Sequence, residues 1–86
     1  MRELEKILKV FANRRRLAIL KYLKENREAP VGDIADAIKL SFRATSKHLS
    51  ILFAVDIVEK DQRSLQVFYR VNRNQKPVAQ YLISLL

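Results

Sequence analysis

The sequence predicts a mainly α-helical domain that carries a small β-hairpin near its carboxyl end, in the order α-α-α-α-β-β-α. Three observations support this prediction. Apolar residues recur at helical spacing in several segments, a late segment alternates apolar and polar residues as a strand does, and the chain contains a single glycine. Because 86 residues is about the length of one small domain, we expect residues 1–86 to form a single unit.

Two helices are predicted in the first third of the chain. The first has apolar residues at positions i, i+3, i+4 and i+7, namely Leu4, Ile7, Leu8 and Phe11. Asn13 interrupts this pattern and suits the N-cap of a second helix, because its side chain can accept a hydrogen bond from a free backbone amide. The second helix carries Leu17, Ile19, Leu20 and Leu23 and fades in the polar stretch "KENREAP".

A third and a fourth helix follow, joined by the tight turn "KLS". Pro30 lies just before the third helix, which is built on Val31, Ile34, Ala35 and Ile38. Ser41 is predicted to cap the fourth helix, which runs to about Ala54. At about 100° per residue, one side of the fourth helix carries Thr45, Leu49 and Leu52, with His48 and Phe53 at the edges.

The opposite side of the fourth helix is polar and basic. It carries Arg43, Ser46, Lys47 and Ser50. No acidic residue occurs anywhere from Ala37 to Val55. A helix face that combines cations and hydroxyl groups without carboxylates indicates contact with a polyanion.

The segment "DIVEKDQRSLQVFYRV" predicts the hairpin. Ile57 and Val58 are expected to begin one strand, "DQRS" to form the turn, and Gln66–Val71 to form the second strand by alternation. A last helix after Pro77 carries Val78, Tyr81, Leu82 and Leu85. Two helices joined by a short turn and followed by a hairpin constitute a winged helix-turn-helix.

Composition excludes several classes of protein. The formal charge of +8 favours nucleic acid as partner, with an anionic membrane surface second. Without cysteine there are no disulfides or thiolate metal sites, and a lone histidine cannot supply a zinc site, so we expect no metal and no cofactor. No apolar run approaches the roughly 20 residues needed to span a bilayer. The amino terminus lacks a signal-peptide core, so we expect a cytoplasmic protein without membrane contact.

No catalytic site is predicted. Ser46 and Ser50 lie two positions from His48 and point off its face, which is poor geometry for a nucleophile and its base. Asp33 and Asp36 are interpreted as solvated, helix-start charges rather than paired catalytic carboxylates. The chain is therefore predicted not to be an enzyme.

Three segments resemble the ArsR-type (arsenical-resistance-repressor) family of winged-helix regulators: "FANRRRLAILKYL", "VGDIADAIKLSFRATSKHLSIL" and "DIVEKDQRSLQVFYRV". The resemblance covers about residues 3–72. It implies a dimer whose fourth helix enters the major groove of DNA while the hairpin, or wing, touches the flanking backbone. It further implies that Arg43, Ser46 and Lys47 face the DNA, with Phe42 and Ser50 beside them.

The chain departs from this family at its sensing sites. Many members carry a cysteine pair where this chain has "EAPVGD", and His or Asp ligands in the last helix where it has Gln75, Gln80 and Tyr81. The family's metal sites are therefore not possible in their usual form. The wing tip of the family usually has a glycine and a basic residue, and Ser64 and Leu65 stand there instead, which leaves Arg63 as the main expected wing contact.

The predicted DNA-binding residues are Ser41, Phe42, Arg43, Ser46, Lys47, His48, Ser50 and Arg63. An arginine near the start of the helix can bind guanine through O6 and N7, and Lys47 suits a phosphate or a guanine. Alternatives remain for the others. Phe42 equally suits packing at the core edge, Ser41 has a sufficient role as N-cap, and His48 suits a structural hydrogen bond or a phosphate contact. Arg14 and Arg15 are outer candidates for phosphate contact.

The terminal helices are predicted to form a homodimer interface. A domain of this size covers little apolar surface, yet both end helices are rich in it. The predicted interface residues are Leu4, Ile7, Leu8, Phe11, Val78, Tyr81, Leu82 and Leu85. The alternative is that these helices only cap the monomer core.

The function predicted from these observations is sequence-specific binding of double-stranded DNA by a dimeric transcriptional repressor, with no effector indicated. The alternative is a winged-helix protein-interaction module that does not read DNA, against which the acid-free face argues. RNA binding is a third possibility. It is disfavoured because the few aromatic residues fall in predicted core or strand positions, not on an exposed stacking surface.

Overall fold

A computed structural model describes all residues, 1–86, and consists of five α-helices and a three-stranded sheet. The helices are α1 (Arg2–Phe11), α2 (Arg14–Glu25), α3 (Val31–Ile38), α4 (Phe42–Ala54) and α5 (Pro77–Ser84). The strands are β1 (Ala29–Pro30), β2 (Val58–Arg63) and β3 (Gln66–Val71). The predicted fold class, mainly helical with a small antiparallel sheet, is confirmed.

Local side-chain chemistry sets the helix ends where the sequence predicts them. The Asn13 side chain accepts a hydrogen bond from the Arg16 amide at 3.0 Å, and the Ser41 hydroxyl oxygen accepts one from the Ala44 amide at 3.1 Å. Pro77 occupies the first turn of α5, where its missing N–H is not needed. Lys39 ends α3 in the left-handed conformation, with φ of 56°, at a position that usually favours glycine.

The sheet contains a strand that the sequence analysis missed. The strand order is β1-β3-β2, and β1 pairs antiparallel with β3 through Ala29–Tyr69 and Pro30–Phe68. Two residues are too few to show a period-2 pattern, and the strand exists because packing places it beside β3. Proline is tolerated there because β1 is an edge strand, whose outer side needs no backbone donor.

The prediction that "DQRS" forms the hairpin turn is wrong. The first strand begins at Val58 and continues through Arg63, so that Arg63 pairs with Gln66 and the turn consists of Ser64 and Leu65 alone. Opposite charges on Glu59 and Arg70, which face each other across the ladder, stabilise the pairing of the two strands. A two-residue hairpin turn needs positive φ, and Ser64 supplies it at 56° where glycine is usual.

The core lies between the helices and one face of the sheet, and every helix contributes to it. Its fully buried side chains include Ile19 and Leu20 of α2, Ile34 of α3, and Leu49 and Leu52 of α4. Since α4 is held against the core from Thr45 to Leu52, its outward face has a fixed orientation. None of the helices is long and apolar enough to cross a membrane.

Candidate nucleic-acid interface

Helix α4 presents the polar face that its periodicity predicts. Thr45, Leu49 and Leu52 are completely buried against the core. On the other side Arg43, Lys47 and Ser50 are exposed and Ser46 is half-buried. Neither Arg43 nor Lys47 makes an ion pair, so both cations are free to meet a ligand.

The amino-terminal end of α4 carries an exposed aromatic ring. The side chain of Phe42 is 61% exposed, so it does not pack at the core edge. Ser41 performs its capping role and leaves its hydroxyl proton free to donate. Phe42 and Arg43 therefore lie together at the start of the helix, where an apolar group and a cation can meet base edges.

His48 joins α4 to the first two helices through Arg16. The Arg16 guanidinium donates to the carbonyl oxygens of Val10 at 2.7 Å and Lys9 at 3.4 Å, and its Nη1 lies 3.2 Å from His48 Nδ1. A guanidinium can only donate, so Nδ1 accepts and the proton of the neutral imidazole is on Nε2. No local sequence pattern pairs these residues, because they are 32 positions apart.

The environment of His48 favours its neutral form. Burial lowers the pKa of the imidazole below its ordinary value, and the positive charges of Arg16, Arg15 and Lys47 lower it further. A neutral His48 keeps the Arg16 hydrogen bond and offers Nε2–H as a donor. His48 therefore makes one side-chain hydrogen bond, through Nδ1 to Arg16, and has no protein partner at Nε2.

We expect acid to destabilise the protein through His48. Because its folded pKa lies below the unfolded one, its contribution is fully present above about pH 6.5 and is lost as pH falls through the folded pKa, by at most about 1.4 kcal/mol per pH unit. Urea unfolding between pH 7.5 and 5 measures this slope. His48→Gln should flatten the profile in this window, and an unchanged slope in the variant would contradict the assignment.

Arg63 is not the free wing cation that the sequence suggests. Its Nη1 and Nη2 donate to the two carboxylate oxygens of Glu28 at 2.7 and 2.8 Å, and its Nε donates to Asp61 at 3.0 Å. The guanidinium also lies over the Phe68 ring, 4.5 Å from its centre. This hydrogen bonding lowers the pKa of Glu28 and raises that of Arg63. Sequence reasoning missed the pair because 35 positions separate the two residues.

The predicted dimerisation residues divide into two groups. Leu4 and Leu8 of α1 and Tyr81 and Leu85 of α5 are exposed, the last two at 65% and 64%. Two of the other four belong to the monomer instead. Ile7 and Phe11 are buried in its core, and Val78 and Leu82 pack half-buried against that core. The expected interface is therefore narrower than the sequence analysis predicts.

Contacts outside the core hold the end helices in place. The Lys76 ammonium contacts the Glu3 carboxylate, which joins the start of α5 to α1. Lys24 of α2 donates to the carbonyl oxygens of Ile83, Ser84 and Leu86 and so caps the end of α5. No group of three or more His, Cys, Asp or Glu side chains is arranged to hold a metal ion.

Comparison with known proteins identifies a family and several relatives. Residues 13–60 match the family described as "Bacterial regulatory protein, arsR family". The chain is 36% identical over 69 residues to the transcriptional activator HlyU of Vibrio cholerae serotype O1, a match that covers 80% of this chain and 63% of that protein. The chain thus spans less than two thirds of this relative.

Solved structures have the same fold. Reduced HlyU from Vibrio cholerae N16961 has a TM-score of 0.83 at 33% identity and covers 98% of this chain and 84% of its own. A homodimeric winged helix-turn-helix DNA-binding domain from Mycobacterium bovis, a possible ArsR-family regulator, has a TM-score of 0.81 at 28% identity. It covers 96% of this chain and 73% of its own.

Proposed function

The chain belongs to the ArsR family of bacterial regulatory proteins, and from that premise we propose that it is a homodimeric repressor that binds a specific double-stranded DNA site. The observation that carries the proposal is the exposed, acid-free face of α4, with Arg43 and Lys47 free of ion pairs. A carboxylate on this face would repel phosphates, and none is present from Ala37 to Val55.

Some α4 residues contact bases and others contact the DNA backbone. Arg43 and Phe42 stand at the start of the helix, where Arg43 reaches the O6 and N7 of a guanine and Phe42 meets a thymine methyl group. Lys47 lies one turn later and binds a phosphate. Ser41, Ser46 and Ser50, with the Nε2–H of neutral His48, donate to phosphate oxygens or base edges.

The net charge of +8 supplies the part of the affinity that is independent of sequence. Each phosphate that a lysine or arginine neutralises releases condensed counterions, so affinity falls with salt. Arg14 and Arg15 at the start of α2 add to this attraction, and Arg15 lies close enough to His48 to lower its pKa.

Dimerisation follows from the exposed apolar residues of the end helices, Leu4, Leu8, Tyr81 and Leu85, with the half-buried Val78 and Leu82 at their margin. A two-fold dimer places two α4 helices about one DNA turn apart, roughly 34–36 Å, on a pseudo-palindromic site. Such a dimer works in the cytoplasm, where a bacterial promoter lies.

Occupation of a promoter is enough to exclude polymerase, which is why we propose repression. The curated relative is named an activator. Transcription in vitro from a promoter that contains the selected site separates the two roles. We also propose that switching does not use the family's metal sites, since the chain lacks cysteine and has one histidine.

The test of the proposed function is selection of binding sites from random duplexes, followed by two substitutions. Arg43→Ala should weaken binding to the selected site by about 1–3 kcal/mol, roughly 5- to 150-fold, and relax the preference at one base pair. Lys47→Ala should weaken all sequences alike and lower the salt slope by about one per subunit. Lys21→Ala, at an exposed lysine of α2, is the matched control.

Full affinity in both α4 variants would refute the recognition-helix assignment. If no duplex is enriched at all, the result favours the alternative, a winged-helix protein-interaction module that does not read DNA. Mass measurement by sedimentation, carried out in parallel, reports the dimer independently of DNA binding.

A further inference from the structure

The outer half of the wing has almost no free positive charge for contact with phosphate. The wing is the β2–β3 hairpin, residues 58–71, and between 61 and 68 its only cation is Arg63. Asp61 and Glu28 hold that cation through three hydrogen bonds of 2.7 to 3.0 Å. Nearer the base, Arg70 donates to Glu59 at 2.6 Å. The remaining cation of the hairpin, Lys60, lies over the Phe53 ring, 4.4 Å from its centre, and not at the tip. Because both arginines are paired with carboxylates, the outer part of the wing has little attraction left for phosphate.

The tip of the wing presents an apolar side chain instead. Leu65 is 96% exposed, the most exposed of the large apolar residues apart from Met1 at the chain start. It is displayed by a defined turn, in which Ser64 has a φ of 56° and the Gln62 side chain donates to the Ser64 carbonyl oxygen at 3.0 Å. The leucine therefore projects from an ordered tip.

The Arg63–Glu28 pair fixes where that tip lies. Glu28 directly precedes β1, whose short ladder with β3 joins the wing to the body of the domain. The two-bond contact between guanidinium and carboxylate restrains orientation as well as distance. The ring of Phe68 supports the same guanidinium from another side. Arg63 thus braces the wing against the segment before β1.

We propose that the wing contacts the minor groove through Leu65 and not through a cation, and that Arg63 is a positioning residue that holds the tip. The inference rests on the proposed function, because it assumes that α4 lies in the adjoining major groove. Apolar side chains enter the minor groove as wedges in other DNA-binding proteins. The guanine amino group projects into that groove and would lose its hydration against a leucine, so A·T pairs should be preferred there.

The experiment is a salt titration of full-length variants on a mixed-sequence duplex of about 30 base pairs, roughly three helical turns. Arg63→Gln should leave the slope of log affinity against log salt unchanged. Glu28→Gln combined with Asp61→Asn should steepen the slope by about one per subunit, because it removes both carboxylates that hold Arg63 and frees the guanidinium for a phosphate. Thermal unfolding of Arg63→Gln and of the double variant checks that the hairpin is retained, and the double variant keeps the arginine itself in place.

Leu65→Ala supplies the second readout. It should weaken binding by about 5- to 20-fold at every salt concentration without changing the slope, since apolar contact carries no counterion term. The loss should be greater on duplexes with A·T pairs at the wing position than with G·C pairs. Leu65→Met keeps the apolar bulk and should retain most of the affinity.

The possible results separate the two proposals. If wild-type protein binds but Arg63→Gln lowers the slope by about one per subunit, Arg63 contacts phosphate and the wing inference is overturned alone. Unchanged affinity in Leu65→Ala overturns it as well. If the wild-type protein binds no duplex, the proposed function fails and the wing inference fails with it.

Discussion

Protein carrying Leu8→Lys together with Leu85→Lys is expected to sediment as a monomer at micromolar concentration and to bind its DNA site at least about 100-fold more weakly than the native chain. Both leucines are exposed, so lysine fits at either position without entering the core. In a dimer the same substitutions bury ammonium groups in an apolar contact. The free-energy cost of burying these charges is far larger than the stabilisation that the contact provides. Loss of the second subunit then removes half of the DNA contacts.

The loss of DNA affinity is informative because the added positive charges by themselves should raise that affinity. Four extra lysines per dimer should strengthen non-specific attraction to a polyanion, so any large loss of affinity reports loss of the dimer. Gln80→Lys, on another side of α5, is the matched control and should remain dimeric with unchanged or slightly higher affinity. A native chain that is monomeric at micromolar concentration yet binds its site tightly would exclude the dimer proposal.

Leu49→Ala is expected to lower the free energy of unfolding by about 2–5 kcal/mol. Leu49 has no exposed surface and lies in the middle of α4, where it fixes the helix against the core. Its truncation removes apolar contacts and leaves a cavity that close packing does not easily fill. A domain of this length has about 4–13 kcal/mol of stability in total, so the variant should be largely unfolded at moderate urea concentrations.

The matched control makes the same chemical change at the surface. Leu65→Ala, at the exposed wing tip, should alter the free energy of unfolding by no more than about 0.5 kcal/mol. Both variants are measured by urea unfolding at one protein concentration, because the stability of a dimer depends on concentration. Similar losses in the two variants would show that α4 does not pack as described.

Helix α4 illustrates how far the sequence alone leads. Periodicity places Thr45, Leu49 and Leu52 inside α4 and Arg43 and Lys47 outside, and the structure agrees at each of these positions. These assignments succeed because a helix repeats every 3.6 residues and its caps need particular side chains at fixed offsets. Both rules act over a few neighbouring positions.

The hairpin shows what local sequence rules do not predict. Four polar residues in "DQRS" suggest a turn, but strand pairing extends through Arg63 and leaves the turn to Ser64 and Leu65. Strand β1 is likewise a result of strand pairing. Two residues carry no pattern, and only their position beside β3 makes them a strand. Register is decided by the partner strand, which the sequence of one strand does not specify.

The sequence by itself determined the helices, the buried and exposed faces of α4 and the excess of positive charge. Tertiary structure decided which of those charges are free. The partners Arg63 and Glu28 are 35 positions apart, Arg16 and His48 are 32 apart, and Lys24 reaches carbonyl oxygens about 60 positions away. A formal charge records only that a side chain is ionised. Whether that charge remains available depends on which distant group the folded chain places within hydrogen-bonding distance, because hydrogen bonds act over about 3 Å.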